Sequence, residues 1–187
     1  MRHLILIKHS LPTIEPTLPA QQWPLSSEGH RRCHALATQL LGYTPSLIAA
    51  SPELKAQQTA AHLSQIFGLL YHSIEGLHEH QRSFLTTTTD FEQIMDTFFS
   101  QPDKIVFGSE SARQARERFT IAVTQAISEA ATDDVFIVAH GTVITLFVSY
   151  YTKQAAFSLW QSLDLPSFIV LSLPDYRLIK IMPHVGA

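Results

Sequence analysis

Two histidines, each at the end of an apolar run, are the residues of this chain best placed to do chemistry. His9 comes after the apolar residues 4–7 and Lys8, and His140 comes directly after the apolar residues 135–139. Each run is long enough for a buried strand, which delivers its histidine to the turn where the strand ends. Open α/β sheets bind ligands beyond the carboxyl ends of parallel strands, so both imidazoles are predicted at one sheet edge. The pair is therefore predicted to form the floor of an active site.

The segments around these histidines alternate between strand and helix. Ser26 or Ser27 is predicted to cap a helix that Gly42 ends, and Pro52 to begin a second helix after a strand at 47–50. Further segments are a short strand at 70–74, helices at 91–99 and 110–131, and a terminal strand pair at 168–173 and 177–182. This order predicts an α/β fold of three layers, a mostly parallel central sheet flanked by helices.

Length and composition predict one folded domain that spans residues 1–187. Its least regular part, about residues 80–104, includes the threonine run 86–89 and is predicted to be a lid or specificity excursion. Hydrophobic residues make up 45% and the net charge is -3, which argues against a nucleic-acid partner. Cys33 is the one cysteine, and the N-terminal apolar stretch is too short for a signal peptide or a membrane span, so we expect a cytoplasmic protein without a membrane partner.

Six short motifs, in this order along almost the whole chain, resemble those of the histidine phosphatase (phosphoglycerate mutase-like) superfamily. They lie at residues 8–10, 25–29, 51–60, 77–79, 108–111 and 139–141. The resemblance implies a phosphoglycerate mutase-like fold and a phosphatase that hydrolyses a small phosphomonoester. It implies no metal and no organic cofactor, and hydrolysis rather than mutase activity, because the chain is short for the mutase branch.

The resemblance also assigns roles to residues. His9 is the expected nucleophile, which carries the phosphoryl group as phosphohistidine before water removes it. A phosphoryl group needs several cations and donors, and the family pattern assigns these to His140, Lys8, Lys55 and the backbone N–H of Gly141.

Glu79 matches the general acid of the family, which protonates the leaving alkoxide. Taken alone, such a residue is more often a solvated loop carboxylate than an acid, and its position in the motif order favours the acid. Arg82, close in sequence to Glu79, is an additional predicted substrate contact. Ser10 is a further predicted substrate-binding residue. It follows the nucleophile where the family often has Gly-Glu-Thr, so the loop on the phosphate side must bond differently.

Lys8 and Lys55 stand where the family usually has arginines. An ammonium is a point charge and cannot form the bidentate pair that a guanidinium forms with phosphate. A second hypothesis therefore stays open, in which the chain is a degenerate module that binds a phosphorylated ligand with weak or no turnover.

Two further alternatives concern the histidines. Strand-end histidines can simply bond to neighbouring backbone, and this structural interpretation leaves the sheet edge empty. His30 and His34 have i, i+4 spacing and residues 78–80 alternate His, Glu and His, both of which suit metal ligands. The chain has no His-Glu-x-x-His motif and no cysteine cluster, so a metal site is not favoured.

Overall fold

One six-stranded mixed sheet forms the centre of the computed structural model, which describes residues 2–82 and 91–186. Its strand order is β3-β2-β4-β1-β5-β6. The strands are β1 (His3–Lys8), β2 (Pro45–Ala50), β3 (Tyr71–Ser73), β4 (Asp134–Ala139), β5 (Ser167–Ser172) and β6 (Leu178–Met182). Strands β3, β2, β4 and β1 run parallel, whereas β5 is antiparallel to both β1 and β6. The mostly parallel sheet and the terminal strand pair are as predicted.

Helices cover both faces of this sheet. Within the described ranges they are α1 (Ser27–Leu40), α2 (Leu54–Phe67), α3 (Phe91–Ser100), α4 (Ala112–Glu129), α5 (Gly141–Thr152) and α6 (Ala156–Ser162). Leu36 of α1 and Leu63 of α2 pack with Ile5 and Ile7 on one face. The opposite core contains α4 and α5 and receives the alternate β1 side chains, Leu4 and Leu6. The three-layer α/β class predicted from the sequence is therefore confirmed.

Side-chain caps set where two of the helices begin. The Ser26 side chain accepts a hydrogen bond from the Gly29 N–H, as predicted for α1. Ser111 and Gln114 form a capping box at α4. The second helix differs from the prediction, because Pro52 lies in a turn and α2 begins only at Leu54.

Two helices that follow His140 were not predicted. Eight consecutive residues of α5, Gly141–Val148, are buried, so the alternation of apolar and polar residues that marks a surface helix is missing there. The threonine run 86–89 of the predicted excursion lies outside the described residues, and α3 occupies the part that follows it. None of the helices described has the length and apolar composition needed to cross a bilayer.

Candidate active site

His9 and His140 meet at the carboxyl ends of two neighbouring strands. Strands β1 and β4 pair in parallel with Lys8 opposite Ala139, so the residue after each strand end lies at the same level. The two ring centres are 5.1 Å apart and the rings are inclined at 62°. His9 is 7% exposed and His140 is fully buried. The sheet register thus brings together the pair that the sequence predicted.

The His9 ring is held as a neutral imidazole with one defined free nitrogen. Its Nδ1 lies 2.8 Å from the Ser10 carbonyl oxygen, which can only accept, so Nδ1 carries the proton. The other nitrogen, Nε2, then keeps its lone pair. Burial, followed by the charges of His140 and Lys55, lowers the pKa of His9 well below its ordinary value. The ring therefore stays neutral through the physiological pH range.

His140 is neutral as well, and its surroundings are more polar. Burial is the main reason that its pKa falls to about 3, against an opposing attraction from Glu79. Its Nε2 lies 2.7 Å from Ser51 Oγ and 3.4 Å from a carboxylate oxygen of Glu53. Its Nδ1 is buried and has no hydrogen-bond partner within the described part of the chain.

Glu79 lies beside both histidines, at the beginning of α5. Its Oε1 accepts from the His80 N–H at 2.8 Å, and its Oε2 accepts from the Thr142 N–H at 3.2 Å. Burial raises the pKa of Glu79, but attraction from Arg82 and His140 and the bond from His80 outweigh it, so the net pKa lies below the ordinary value. The carboxyl group is thus ionised at neutral pH before an anion arrives.

Two cations face the same pocket. The Lys55 ammonium is 6% exposed and donates to the Ala20 carbonyl at 2.8 Å and to Glu53. The Arg82 guanidinium lies over the rings of Phe91 and Phe107, 5.0 and 5.4 Å from their centres. Both cations line the inner cavity together with His9. The Lys55 side chain is buried there and the Arg82 side chain is half-buried.

Three other predicted residues contribute differently. The Lys8 ammonium donates to the Leu163 carbonyl at 2.7 Å. A Cβ on Gly141 would lie 3.0 Å from Lys8 Cε, so the lysine stem packs against the first residue of α5. Ser10 is fully buried, with its N–H bonded to Thr59 and its hydroxyl donating to the Gly29 carbonyl. Ser10 therefore joins β1 to α1 and α2, and contact of Ser10, Lys8 and Gly141 with substrate stays a prediction.

The pocket has an inner and an outer part. The inner cavity, about 190 Å³, is lined by charged or ring-bearing residues together with Ala20 and Gln21: His9, Pro12, Trp23, Glu53, Lys55, Glu79, His80, Arg82 and His140. Gln21, Glu53, Glu79 and Arg82 also line a larger outer cavity of about 790 Å³. The inner volume suits a phosphoryl-sized group, and the outer volume lies in the range of small-molecule sites.

One residue of this site, Glu53, was missed in the sequence. Glu53, two residues before Lys55, is a buried carboxylate that lines both cavities, and its place inside the 51–60 motif was the available signal. Arg118 donates to the carbonyls of Gly76 and His78 and pairs with Glu110, which fixes the loop that carries Glu79. Arg118 thus positions the loop from outside the pocket.

The metal alternatives gain no support. Over residues 2–82 and 91–186, no group of three His, Cys, Asp or Glu side chains is arranged to hold a metal ion. His30 pairs with His62 of α2, Nδ1 to Nε2 at 2.8 Å. His78 contacts Gln81, and His80 bonds to the Glu110 carbonyl, so the side chains of residues 78–80 do not converge on one point.

Comparisons with known proteins agree with this geometry. A family model described as histidine phosphatase superfamily (branch 1) matches residues 18–178, a range that begins after His9. The chain is similar to a solved mycobacterial glucosyl-3-phosphoglycerate phosphatase, with 18% identity, a TM-score of 0.76, and coverage of 100% of this chain and 99% of the other. No curated protein matches the chain.

Two other solved structures have similar folds. An alpha-ribazole phosphatase from Shigella flexneri is 19% identical with a TM-score of 0.69, over 98% of this chain and 97% of that one. A phosphoserine phosphatase mutant from Entamoeba histolytica is 16% identical with a TM-score of 0.72, over 97% of each chain. At such identities the likeness shows the fold, which has the predicted architecture.

Proposed function

Because this chain belongs to the histidine phosphatase superfamily, as its motifs predicted, we propose that it hydrolyses small phosphomonoesters through a phosphohistidine on His9. The observation that carries this proposal is the state of that ring. Its Nδ1 proton is committed to the Ser10 carbonyl, so Nε2 is the nucleophile, and it faces a cavity that also contains Lys55, Arg82 and Glu79.

In the first step, His9 Nε2 attacks phosphorus and the bond to the ester oxygen breaks. Glu79 gives its proton to the departing alkoxide. Lys55 and Arg82 balance the charge on the non-bridging oxygens, and His140 donates to them. In the second step, water attacks phosphorus, Glu79 takes the water proton, and the phosphorus–nitrogen bond breaks. Inorganic phosphate leaves and the His9 lone pair is restored.

The acid role requires Glu79 to gain a proton with the substrate. Among the described residues of the inner cavity, the cations Lys55 and Arg82 are matched by the anions Glu53 and Glu79. A phosphate dianion therefore enters a pocket that is already balanced, and its charge raises the pKa of the neighbouring carboxyl group. Binding is expected to take up a proton, which Glu79 then delivers to the leaving group.

The experiment is phosphate release from a panel of phosphorylated metabolites and an aryl phosphate by wild type and His9→Ala. Labelled substrate, quenched without acid, is expected to leave label on His9 that is stable in base and lost in acid. Turnover without label on any residue would contradict the covalent route, and equal release by both proteins would assign the activity to a contaminant.

A binding module without efficient turnover is the second candidate. Both lysines already have protein acceptors, Leu163 for Lys8 and Glu53 with Ala20 for Lys55, so each must share its ammonium with a phosphoryl group. This candidate predicts phosphate or vanadate binding without release from any ester of the panel. A small phosphorylated ligand is the partner in either case, and a cytoplasmic location stays a prediction.

A further inference from the structure

The Glu53 carboxylate has an unusual position for a group that carries the same charge as the substrate. It is only 5% exposed, at the N-cap of α2, and it lines both the inner and the outer cavity. Its own N–H bonds to Ser51 Oγ, which fixes the turn before the helix. Burial of a carboxylate is costly unless it is paired and hydrogen-bonded, so its partners indicate its role.

Each oxygen of this carboxylate holds a different part of the proposed machinery. Oε2 lies 2.5 Å from Lys55 Nζ. Oε1 accepts from the backbone N–H of Glu79 at 2.8 Å and lies 3.4 Å from His140 Nε2. The residue that binds the phosphoryl group and the residue that donates the proton are thus anchored to one side chain, although they belong to different elements.

We infer that Glu53 is a positioning residue, which fixes the Glu79 carboxyl group relative to the Lys55 ammonium so that proton donor and phosphoryl group keep one separation. The inference rests on the proposed function. Displacement of a catalytic group by about 1 Å can lower the rate about a hundredfold. An anchor that prevents such a displacement therefore explains why a carboxylate is buried at this position.

The chemistry of the two contacts requires a carboxylate. Lys55 and the Glu79 N–H are both donors, and they approach different oxygens of Glu53. An amide has one acceptor oxygen and one donor group, so a glutamine of the same shape can satisfy only one of them. Glu53→Gln is therefore expected to keep the volume and lose one anchor.

Glu53 also acts on Glu79 through its charge. The charged or titratable groups that interact with Glu79 are Glu53, Lys8, His80, Arg82 and His140. Within this set Glu53 is the anion, and it raises the pKa of Glu79 against the attraction of Arg82 and His140. Removal of its charge should move the loss of activity at high pH to lower pH.

The experiment is a double-mutant cycle with Glu53→Gln and Glu79→Gln, measured on an alkyl and an aryl phosphate across pH. An aryl phosphate expels a phenolate that needs little protonation, whereas an alkyl phosphate depends on the acid. Glu53→Gln is expected to lower kcat for the alkyl ester about a hundredfold and for the aryl ester only a few-fold. In the Glu79→Gln background it should have little further effect on the alkyl ester.

Glu129→Gln is the matched control, because Glu129 is an exposed glutamate of α4 that lines neither cavity. The same change of charge there should leave the difference between alkyl and aryl esters intact. Glu53→Asp keeps both oxygens on a shorter side chain and should give an intermediate, again alkyl-selective, loss. It replaces Glu53→Gln if thermal unfolding shows that the glutamine variant does not fold.

The outcomes separate this inference from the proposed function. If wild type releases no phosphate from either ester, the proposed function fails. If wild type is active but Glu53→Gln slows the hydrolysis of both esters equally, the positioning role is overturned and Glu53 is only structural. The same conclusion follows if Glu53→Gln slows the alkyl ester by the same factor in wild type and in the Glu79→Gln variant.

Discussion

The ring centres of His9 and His140 lie 5.1 Å apart because their strands, β1 and β4, are parallel neighbours in register. Neither ring needs a loop to bring it to the other. Lys8 lies opposite Ala139 in this pairing, and the His9 N–H donates to the Ala139 carbonyl at 3.0 Å, which gives the site the rigidity of the sheet. The consequences of this arrangement for stability and catalysis can be measured.

Burial of neutral His140 should make the protein sensitive to acid. The folded pKa of about 3 lies below the unfolded value of 6.5, so the stabilisation is complete above about pH 6.5 and is lost as pH falls through this window. Urea unfolding from pH 4.5 to 7.5 should show no contribution to the slope from this group above about pH 6.5 and, below it, a fall of about 1.4 kcal/mol per pH unit. His140→Asn should remove that part of the slope, and the exposed His72→Asn should not.

Glu79→Gln should slow alkyl phosphates about a hundredfold or more and aryl phosphates much less, because an amide has no proton to give to the leaving alkoxide. Steady-state kcat on a matched pair of esters checks this. Equal losses on both esters would assign the proton donor to another group.

The two lysines should differ in their effects. Lys55→Met removes a cation from the inner cavity and should weaken inhibition by phosphate about tenfold to a hundredfold, the value of a charge-assisted hydrogen bond. Lys8→Met should mainly lower stability, since the Leu163 carbonyl loses its donor. Inhibition constants for phosphate and thermal unfolding of each variant distinguish the two roles. If Lys8→Met weakens phosphate binding as much as Lys55→Met does, Lys8 also binds the phosphoryl group.

The family pattern usually has arginine at the positions of Lys8 and Lys55, and replacement of each lysine by arginine should have a different effect. Lys8→Arg would enlarge a side chain whose stem packs against Gly141 and whose ammonium is bonded to the Leu163 carbonyl. Lys55→Arg would stay beside Glu53, which can pair with a guanidinium. We therefore expect kcat/KM to rise only for Lys55→Arg. A gain from Lys8→Arg would show that α5 yields to the larger side chain.

Gly29→Ala should destabilise the fold by about 1–3 kcal/mol, as overpacking does. A Cβ there would lie 2.1 Å from the Leu11 carbonyl oxygen, which also accepts from the Ser26 N–H. Gly42→Ala is the control, because nothing lies within 4 Å of its Cβ position. Denaturant unfolding of both variants tests the contact, and equal stabilities would mean that the loop at Leu11 can move aside.

The amino-acid sequence by itself determined the strands, most of the helices and the placement of both histidines at one edge of the sheet. Apolar runs such as 135–139 and caps such as Ser26 are local patterns, and a parallel sheet aligns the carboxyl ends of its strands whatever the rest of the chain does. The alternation of strand and helix therefore predicted the architecture, and six short motifs in order along the chain predicted the family.

Only the tertiary structure decided what each polar side chain at that edge contacts. The Glu53 carboxylate meets the Glu79 N–H, 26 residues away, and Lys8 meets Leu163, 155 residues away. Ser10 bonds to Thr59 of α2 and to Gly29 of α1, two contacts that no local pattern specified. Such contacts depend on how helices pack over the sheet, and burial then forces each charge to find a partner that no local pattern specifies.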